Sequence, residues 1–381
     1  MSDVIRIVCV GPAESVQGGI SRVIGIIRDH LPDRIRFHHV STYTRYTGAA
    51  GTHPDDRGSR LNQTFVFMSA FAQLIFFALS PRTVFHIHLA VKGSLLRKGV
   101  ICILLRVLQR KYVVHCHGSD GNLFHQWLPA IFRRSLIWGI RGAGKLIALT
   151  PFWYDHYSEL FCFPPSRVLL LPNPTIGPKA IPDRSHRQGT KLLFLGRIGE
   201  HKGALDVIHA FAALPKEVRK SCSLTLAGDG DLEAAKRLVM QLECSSQVSV
   251  SGWVGAREVD RLLAESDVFL LPSHNEGMAM SLIEAMSWGL AVITTDVGGA
   301  GAFLELYRNS LVVSPGDIQG LRNAIHKLIL SPSLRLSLGL AAHETANRFN
   351  IDNYIAKLIN SYEEIVSELP SAGAESHHYE R

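Results

Sequence analysis

The feature that most constrains this chain is an alternation. Short β-branched, apolar runs are separated by longer segments in which apolar residues recur at helical spacing, and the whole pattern occurs twice. Strands that alternate with helices pair in parallel, because a helical crossover returns the chain to the edge where the next strand starts in the same direction. In the first half the predicted strands are Ile5–Val10, Ile35–Val40, Thr83–His88, Tyr112–His117, Leu146–Leu149 and Val168–Leu171. Helical patterns lie between them at Ile20–His30, Asn62–Leu79, Gly93–Gln109, Gln126–Arg141 and Pro151–Leu160. Such a series makes one doubly wound α/β domain.

The stretch after it carries Pro172, Pro174, Pro178 and Pro182, a density that neither a helix interior nor a central strand tolerates. The alternation resumes with Lys191–Gly196, Ser223–Ala227, Val248–Ser251, Val268–Leu271, Ala291–Thr294 and Leu311–Val313. After Asp317 the pattern is helical to about Glu368, with breaks near Ser331-Pro332 and Asn350. The expected organisation is therefore a first Rossmann-like domain over 1–172, a linker over 173–190, a second such domain over 191–349, a helix over 350–370 returning to the first domain, and a small, polar, disordered tail over 371–381. A chain of 381 residues, 46% hydrophobic, suffices for two cores of ordinary size.

Charge is distributed unevenly between the halves. Residues 1–171 hold 20 Lys and Arg against 9 Asp and Glu, while the remainder hold 20 against 24. Six cysteines are scattered without a CxxC pair, and Met1-Ser2-Asp3-Val4 lacks the charged and apolar regions of a secretory leader, so the expected setting is the reducing cytoplasm. The most apolar run, Phe65 to Leu79, is interrupted by Ser69 and Gln73 and falls short of the ~18 residues of a membrane span. The basic stretches lack the interleaved aromatic readers of a nucleic-acid motif, and no nucleic-acid partner is expected.

Two segments of the second half carry chemistry. Leu192-Leu-Phe-Leu-Gly196-Arg197-Ile-Gly-Glu-His-Lys202-Gly-Ala204 reads as a strand, a Gly-containing turn and a helix start, which sets Arg197 and Lys202 beside free helix N–H groups. All three kinds of donor suit a diphosphate; the alternative is a pair of cations on a solvated loop. In Leu270-Leu-Pro-Ser-His-Asn-Glu276-Gly277-Met-Ala-Met280-Ser281-Leu-Ile-Glu284, Glu276 falls in the loop at a strand's carboxyl end, where open α/β sheets bind ligands. Glu284 falls in the second turn of the following helix, where it can accept hydrogen bonds from a ribose diol or stand as an ordinary exposed helix carboxylate. Glu276 can likewise serve only the helix dipole.

Taken together, Glu276-Gly277, six residues, Glu284-Ala, preceded by Gly196-Arg197, four residues, Lys202-Gly, resembles the retaining GT-B glycosyltransferases of glycosyltransferase family 4. The likeness extends to the linker Leu-Pro-Asn173-Pro, to Ala227-Gly-Asp-Gly230 and to Pro315-Gly-Asp317. It implies a GT-B fold, two Rossmann-like domains facing a central cleft. It also implies that Arg197 and Lys202 neutralise the donor diphosphate, that Glu276 contacts hydroxyls of the transferred sugar, and that Glu284 holds the ribose. Gly18 and Gly19 after the first strand match the family's glycine loop, which admits backbone close to the donor phosphates. By itself the pair reads as a tight turn, since Gly11 to Gly19 lacks the GxGxxG spacing. Gly196, Gly277 and the amides of Met280 and Ser281 complete the expected donor site.

In Phe85-His86-Ile-His88 and His115-Cys-His117-Gly118, strand alternation sets two pairs of histidines on matching faces. No carboxylate accompanies them at ligand spacing, and no metal is expected. The resemblance sets His117 against the transferred sugar and His88 at the acceptor cleft, where a buried, hydrogen-bonded histidine is the competing reading. One departure from the family pattern stands out: after Val297-Gly-Gly299 the usual Ile-Pro-Glu is replaced by Ala300-Gly301-Ala302, so a carboxylate is missing unless Glu305 substitutes.

The implied activity is hexose transfer with retention from a UDP- or GDP-sugar, without metal or cofactor, to a saccharide acceptor, lipid-linked in bacterial surface polysaccharide or exopolysaccharide assembly. Apolar residues mixed with cations around Phe65–Phe77, Leu95–Arg106 and Ile131–Trp138 fit peripheral contact with an anionic inner membrane face, and equally fit core packing with a basic edge. Two other functions fit the same motifs, a GT-B nucleotide-sugar epimerase and a non-catalytic nucleotide-sugar binding partner.

Overall fold

The structure, a computed structural model, describes residues 5–44, 56–80, 82–90, 93–118, 128–184 and 187–367. The tail expected over 371–381 and the start of the helix expected from Gln126 lie outside the described residues.

The first half forms β1 (Ile5–Pro12), α1 (Gly19–His30), β2 (Ile35–Tyr43), α2 (Asp56–Ala78), β3 (Thr83–Leu89), α3 (Gly93–Val107), β4 (Lys111–Cys116), α4 (Ala130–Arg141), β5 (Lys145–Ala148), α5 (Pro151–Leu160) and β6 (Val168–Leu170). These strands pair in parallel in the order β2-β1-β3-β4-β5-β6. On one face of the sheet, Leu74, Leu95, Ile101, Leu105, Leu136 and Ile140 from α2, α3 and α4 bury against Val8, Phe85 and Val114. On the other, Val23 and Ile27 of α1 pack over Ile7 and Val84.

The second half forms β7 (Thr190–Leu195), α6 (Ala204–Ala212), α7 (Lys216–Lys220), β8 (Cys222–Ala227), α8 (Leu232–Gln241), β9 (Val248–Ser251), α9 (Ala256–Glu265), β10 (Val268–Leu271), α10 (Met280–Ser287), β11 (Ala291–Thr295), β12 (Leu311–Val313), α11 (Ile318–Leu330) and α12 (Pro332–Ala346). Its parallel order, β12-β11-β10-β7-β8-β9, reverses direction between β7 and β10. That reversal opens a crevice at the strands' carboxyl ends, so the loops after β7 and β10 are where a ligand meets this sheet.

Local chemistry sets the helix ends. Thr150 caps α5, Asp231 caps α8, Asp317 caps α11 and Ser331 caps α12, each side chain accepting from a backbone N–H of the first turn. A cap of this kind contributes ~1 kcal/mol. Pro332 at the start of α12 and the capping Ser331 account for the break in the helical pattern there.

The chain crosses between domains twice, side by side. Thr175 of the outgoing segment bridges Asn350 of the returning one, and its N–H donates to the Phe349 carbonyl at 2.8 Å. Beyond that crossing, α13 (Ile351–Ser367) lays Tyr354, Leu358, Tyr362 and Ile365 onto the first sheet beside Ile7, Val84, Val113 and Ile147.

Candidate functional site

The loop after β7 turns back on itself through Gly203, which has φ +70°; a Cβ there would stand 2.2 Å from the Pro272 carbonyl oxygen of the neighbouring loop. Only glycine permits both the left-handed conformation and that approach. The packing brings Lys202 onto Glu276, with which it forms an ion pair. Ser273 donates a second hydrogen bond to the same carboxylate, Oγ to Oε1 at 2.9 Å, and the Ser273 carbonyl is itself held by Thr295 Oγ1 at 2.6 Å. Glu276 is 8% exposed, so these contacts offset the cost of burying its charge. Arg197 stands largely in solvent, 3.8 Å from Asp229.

Glu284 is buried on α10, with Leu282, Ile283 and Met286 packed in the same core. Burial pushes its carboxyl up, and Arg22 from α1 opposes that shift. Arg22 belongs to the other domain, and the ion pair crosses the cleft, Nε to Oε1 2.5 Å. Neither α1 nor α10 carries a side-chain cap, so the first-turn N–H groups of both remain available to an anion. The two starts face one another: a Cβ on Gly19 would lie 3.5 Å from the Met280 side chain.

The first domain and the start of the linker also grip the second domain through the backbone of its cleft-facing loops. Trp153 Nε1 donates to the Gly277 carbonyl at 2.8 Å, Asn173 Nδ2 to the Met278 carbonyl at 3.0 Å, and Thr150 Oγ1 to the Gly298 carbonyl at 2.8 Å. At Gly277 a Cβ would come within 2.9 Å of the His117 carbonyl oxygen, which explains the residue type at that closest approach. The resulting interdomain cleft has a volume of about 830 Å³. Gly18, Gly19, His117, Gly196, Arg197, Lys202, Glu276, Gly277, Met280, Ser281 and Glu284 all line it.

His88 requires a correction. Instead of facing an acceptor, it has no exposed surface and lies behind His117, with His88 Nδ1 and His117 Nε2 2.9 Å apart. The two strands pair with His88 opposite His115, so the alternating side chains of both gather four imidazoles on one sheet face. His86 completes the group, 3.2 Å from His115 and 2.5 Å from the Tyr362 hydroxyl of α13. Burial pushes His86 and His117 down to about 3 and His88 and His115 well below the usual histidine range, so all four are neutral at pH 7. His86, His88 and His115 each offer a nitrogen within 4.8 Å of the others, a separation a metal would have to contract. Among the described residues no acidic group acts on these histidines, whereas Lys98 acts on His88 and His117 as a like charge.

Lys98 is itself a second correction. Read from the sequence as one of the surface cations of Leu95–Arg106, it is buried against the first sheet, with its ammonium donating to Ser94 Oγ at 2.8 Å. Burial lowers it to about 7. Glu305 does not replace the carboxylate missing from the Gly299–Ala302 loop, since it pairs with Arg308 and is not among the residues lining the cleft. Sequence reasoning also passed over Arg22, Ser273 and Trp153. Arg22 carried a signal, its place one turn after the Gly18-Gly19 loop, whereas the contacts of Ser273 and Trp153 arise from packing between distant segments.

Two family models match successive parts of the chain: the glycosyl transferase 4-like domain over residues 5–174 and glycosyl transferases group 1 over residues 182–345. The chain belongs to the group 1 glycosyl transferases. Among relatives of known name, it is 32% identical over 155 residues to the lipopolysaccharide core biosynthesis glycosyltransferase LpsE of Rhizobium meliloti, covering 40% of this chain and 44% of LpsE. It is 27% identical over 262 residues to the amylovoran biosynthesis glycosyltransferase AmsK of Erwinia amylovora, covering 64% of this chain and 61% of AmsK. The matched stretches thus span less than two thirds of these relatives. In fold, the family member described here resembles sucrose-phosphate synthase from Thermosynechococcus elongatus, with a TM-score of 0.74, 18% identity, and coverage of 96% of this chain and 100% of that one. It also resembles Anabaena HepE solved with UDP and glucose, with a TM-score of 0.70, 14% identity, and coverage of 94% and 100%. The GT-B architecture expected from the sequence is the architecture observed.

Proposed function

We propose that this chain transfers a hexose from a nucleoside diphosphate sugar, with retention, to a lipid-linked saccharide in surface polysaccharide assembly. The observation that carries the reading is the convergence of Arg197, Lys202, two uncapped helix starts and the carboxylates of Glu276 and Glu284 on one interdomain cleft. Breaking the bond from sugar to diphosphate leaves negative charge on the departing phosphate. Fixed cations and amides stabilise that charge more in the transition state than in the ground state. Arg197 and Lys202 supply this neutralisation in the proposed mechanism, without a metal. Glu276, engaged by Lys202 and Ser273, suits holding sugar hydroxyls rather than attacking the anomeric carbon. The names of LpsE and AmsK support the polysaccharide setting, and the UDP and glucose bound to HepE support the donor class.

A thermal-shift panel of UDP- and GDP-sugars, followed by mass analysis of products with lipid-linked acceptors, tests the reading. One nucleotide series should raise the midpoint by a few degrees, because a ligand at a hundred times its Kd adds about 2.7 kcal/mol. Stabilisation by none of them would overturn the donor site.

Membrane contact belongs to the same proposal. No described helix is long and apolar enough to cross a membrane. The layer formed by α2, α3 and α4 instead exposes Phe65, Phe76, Leu79, Val107, Ile131 and Phe132, with Arg134 and Arg141 also exposed. Large apolar side chains beside cations suit the inner, anionic leaflet of the plasma membrane. Wild-type protein should sediment with phosphatidylglycerol vesicles, and a variant carrying Ile131→Asp, Phe132→Asp, Arg134→Glu and Arg141→Glu should stay in the supernatant. Equal behaviour of the two proteins would refute the contact.

A further inference from the structure

Arg22 is the one residue of the first domain that forms an ion pair with a proposed donor-binding carboxylate among the described residues. It projects from α1 to Glu284 on α10 while retaining 38% side-chain exposure, and both residues line the cleft. Beside the pair, Met280 is buried with Val23 and Ile27 of α1, so an apolar interdomain contact supports the polar one. Glu284 is 6% exposed, and the other charged group acting on it, Asp260 of α9, is repulsive. A carboxylate buried near a like charge stays ionised and in one orientation only if a cation compensates it.

We propose that Arg22 is a positioning residue for the nucleoside end of the donor: by holding Glu284 Oε1 from the opposite domain, it keeps the carboxylate an anion with Oε2 free for the ribose diol. The inference rests on the donor-site reading above. Recognition of the diol then depends on the two domains being closed on one another, because the cation and the carboxylate lie on opposite walls. A neutral Glu284 would spend one oxygen as a donor and accept less from the diol. Loss of Arg22 leaves the effect of burial on Glu284 opposed by no other charge among the described residues, so diol recognition should weaken as pH falls.

The test is calorimetric binding of UDP and GDP and of their 2′,3′-dideoxy forms at pH 8 and pH 6, with circular dichroism to check folding. Wild type should prefer the ribonucleotide. Arg22→Gln should weaken its binding about tenfold or more, with a larger loss at pH 6, and should leave the dideoxy form nearly unaffected. Arg22→Lys should restore most of the preference. In a Glu284→Gln background, changing Arg22 should have no further effect on the preference, the coupling expected of residues that act as a pair. If Arg22→Gln does not fold, Arg22→Met in the two backgrounds takes its place, with the same expected loss. Equal weakening of ribo and dideoxy forms, or no weakening, would overturn the role. Failure of wild type to bind UDP or GDP would overturn the donor-site reading itself, a separable result.

Discussion

Replacing Lys202 with alanine is expected to lower kcat/KM for sugar transfer on the order of 100- to 1000-fold and to weaken nucleoside diphosphate binding, the range typical of a fixed group that stabilises transition-state charge. Glu276→Gln is expected to lose transfer to a similar degree while binding the nucleoside diphosphate at least as tightly as wild type. The reason is geometric: the Lys202 ammonium is paired with the Glu276 carboxylate, and a diphosphate must compete for it. Removing the carboxylate's charge frees the ammonium, whereas removing the ammonium strands a buried carboxylate. Turnover assays paired with calorimetry of the free nucleotide separate the two effects. A Glu276→Gln variant with wild-type turnover, or a Lys202→Ala variant with wild-type affinity, would refute the assigned roles.

The second large effect concerns acid. His86, His88, His115 and His117 are neutral in the folded protein, with His86 and His117 down to about 3 and the other two well below the usual range. In the unfolded chain they titrate near 6.5. Between those limits the unfolded state binds more protons, so unfolding free energy falls as pH falls, by up to about 1.4 kcal/mol per unit for each histidine. Their contribution is intact above about pH 6.5 and is progressively lost below it. Urea unfolding at pH 7.5, 6.5, 5.5 and 5.0 should show a steepening decline, and His86→Gln should reduce the slope by about one proton. Lys98 works at the other end of the scale. Lowered to about 7 by burial, it makes stability rise between about pH 7 and its unfolded value near 10.5. A stability profile flat from pH 7.5 to 5 would contradict the buried histidine group.

Much of the architecture is legible in the sequence, and for a clear reason. Strand and helix periodicities are local, and their repeated alternation leaves few topologies besides a parallel sheet with helices on its faces. Each predicted strand is a strand in the structure, and the break at Ser331-Pro332 is a helix cap. The spacing of Arg197, Lys202, Glu276 and Glu284 likewise carried a family resemblance, because each pair lies within one loop and the helix it enters.

Tertiary structure decided what sits on what. Lys98 looks in sequence like Arg97 beside it, which stays half-buried, but its own side chain is the one α3 turns onto the sheet. His88 was read towards an acceptor, but the register of β3 on β4 stacks it behind His117. Arg22 and Glu284 are separated by most of the chain and by a domain boundary, so no local pattern joins them. The sequence by itself determined the two sheets and the residue types offered to the cleft, since those follow from local periodicity and spacing. Only the tertiary structure decided which groups are buried, which are charged and which meet across the cleft, because these depend on packing between segments far apart in the chain.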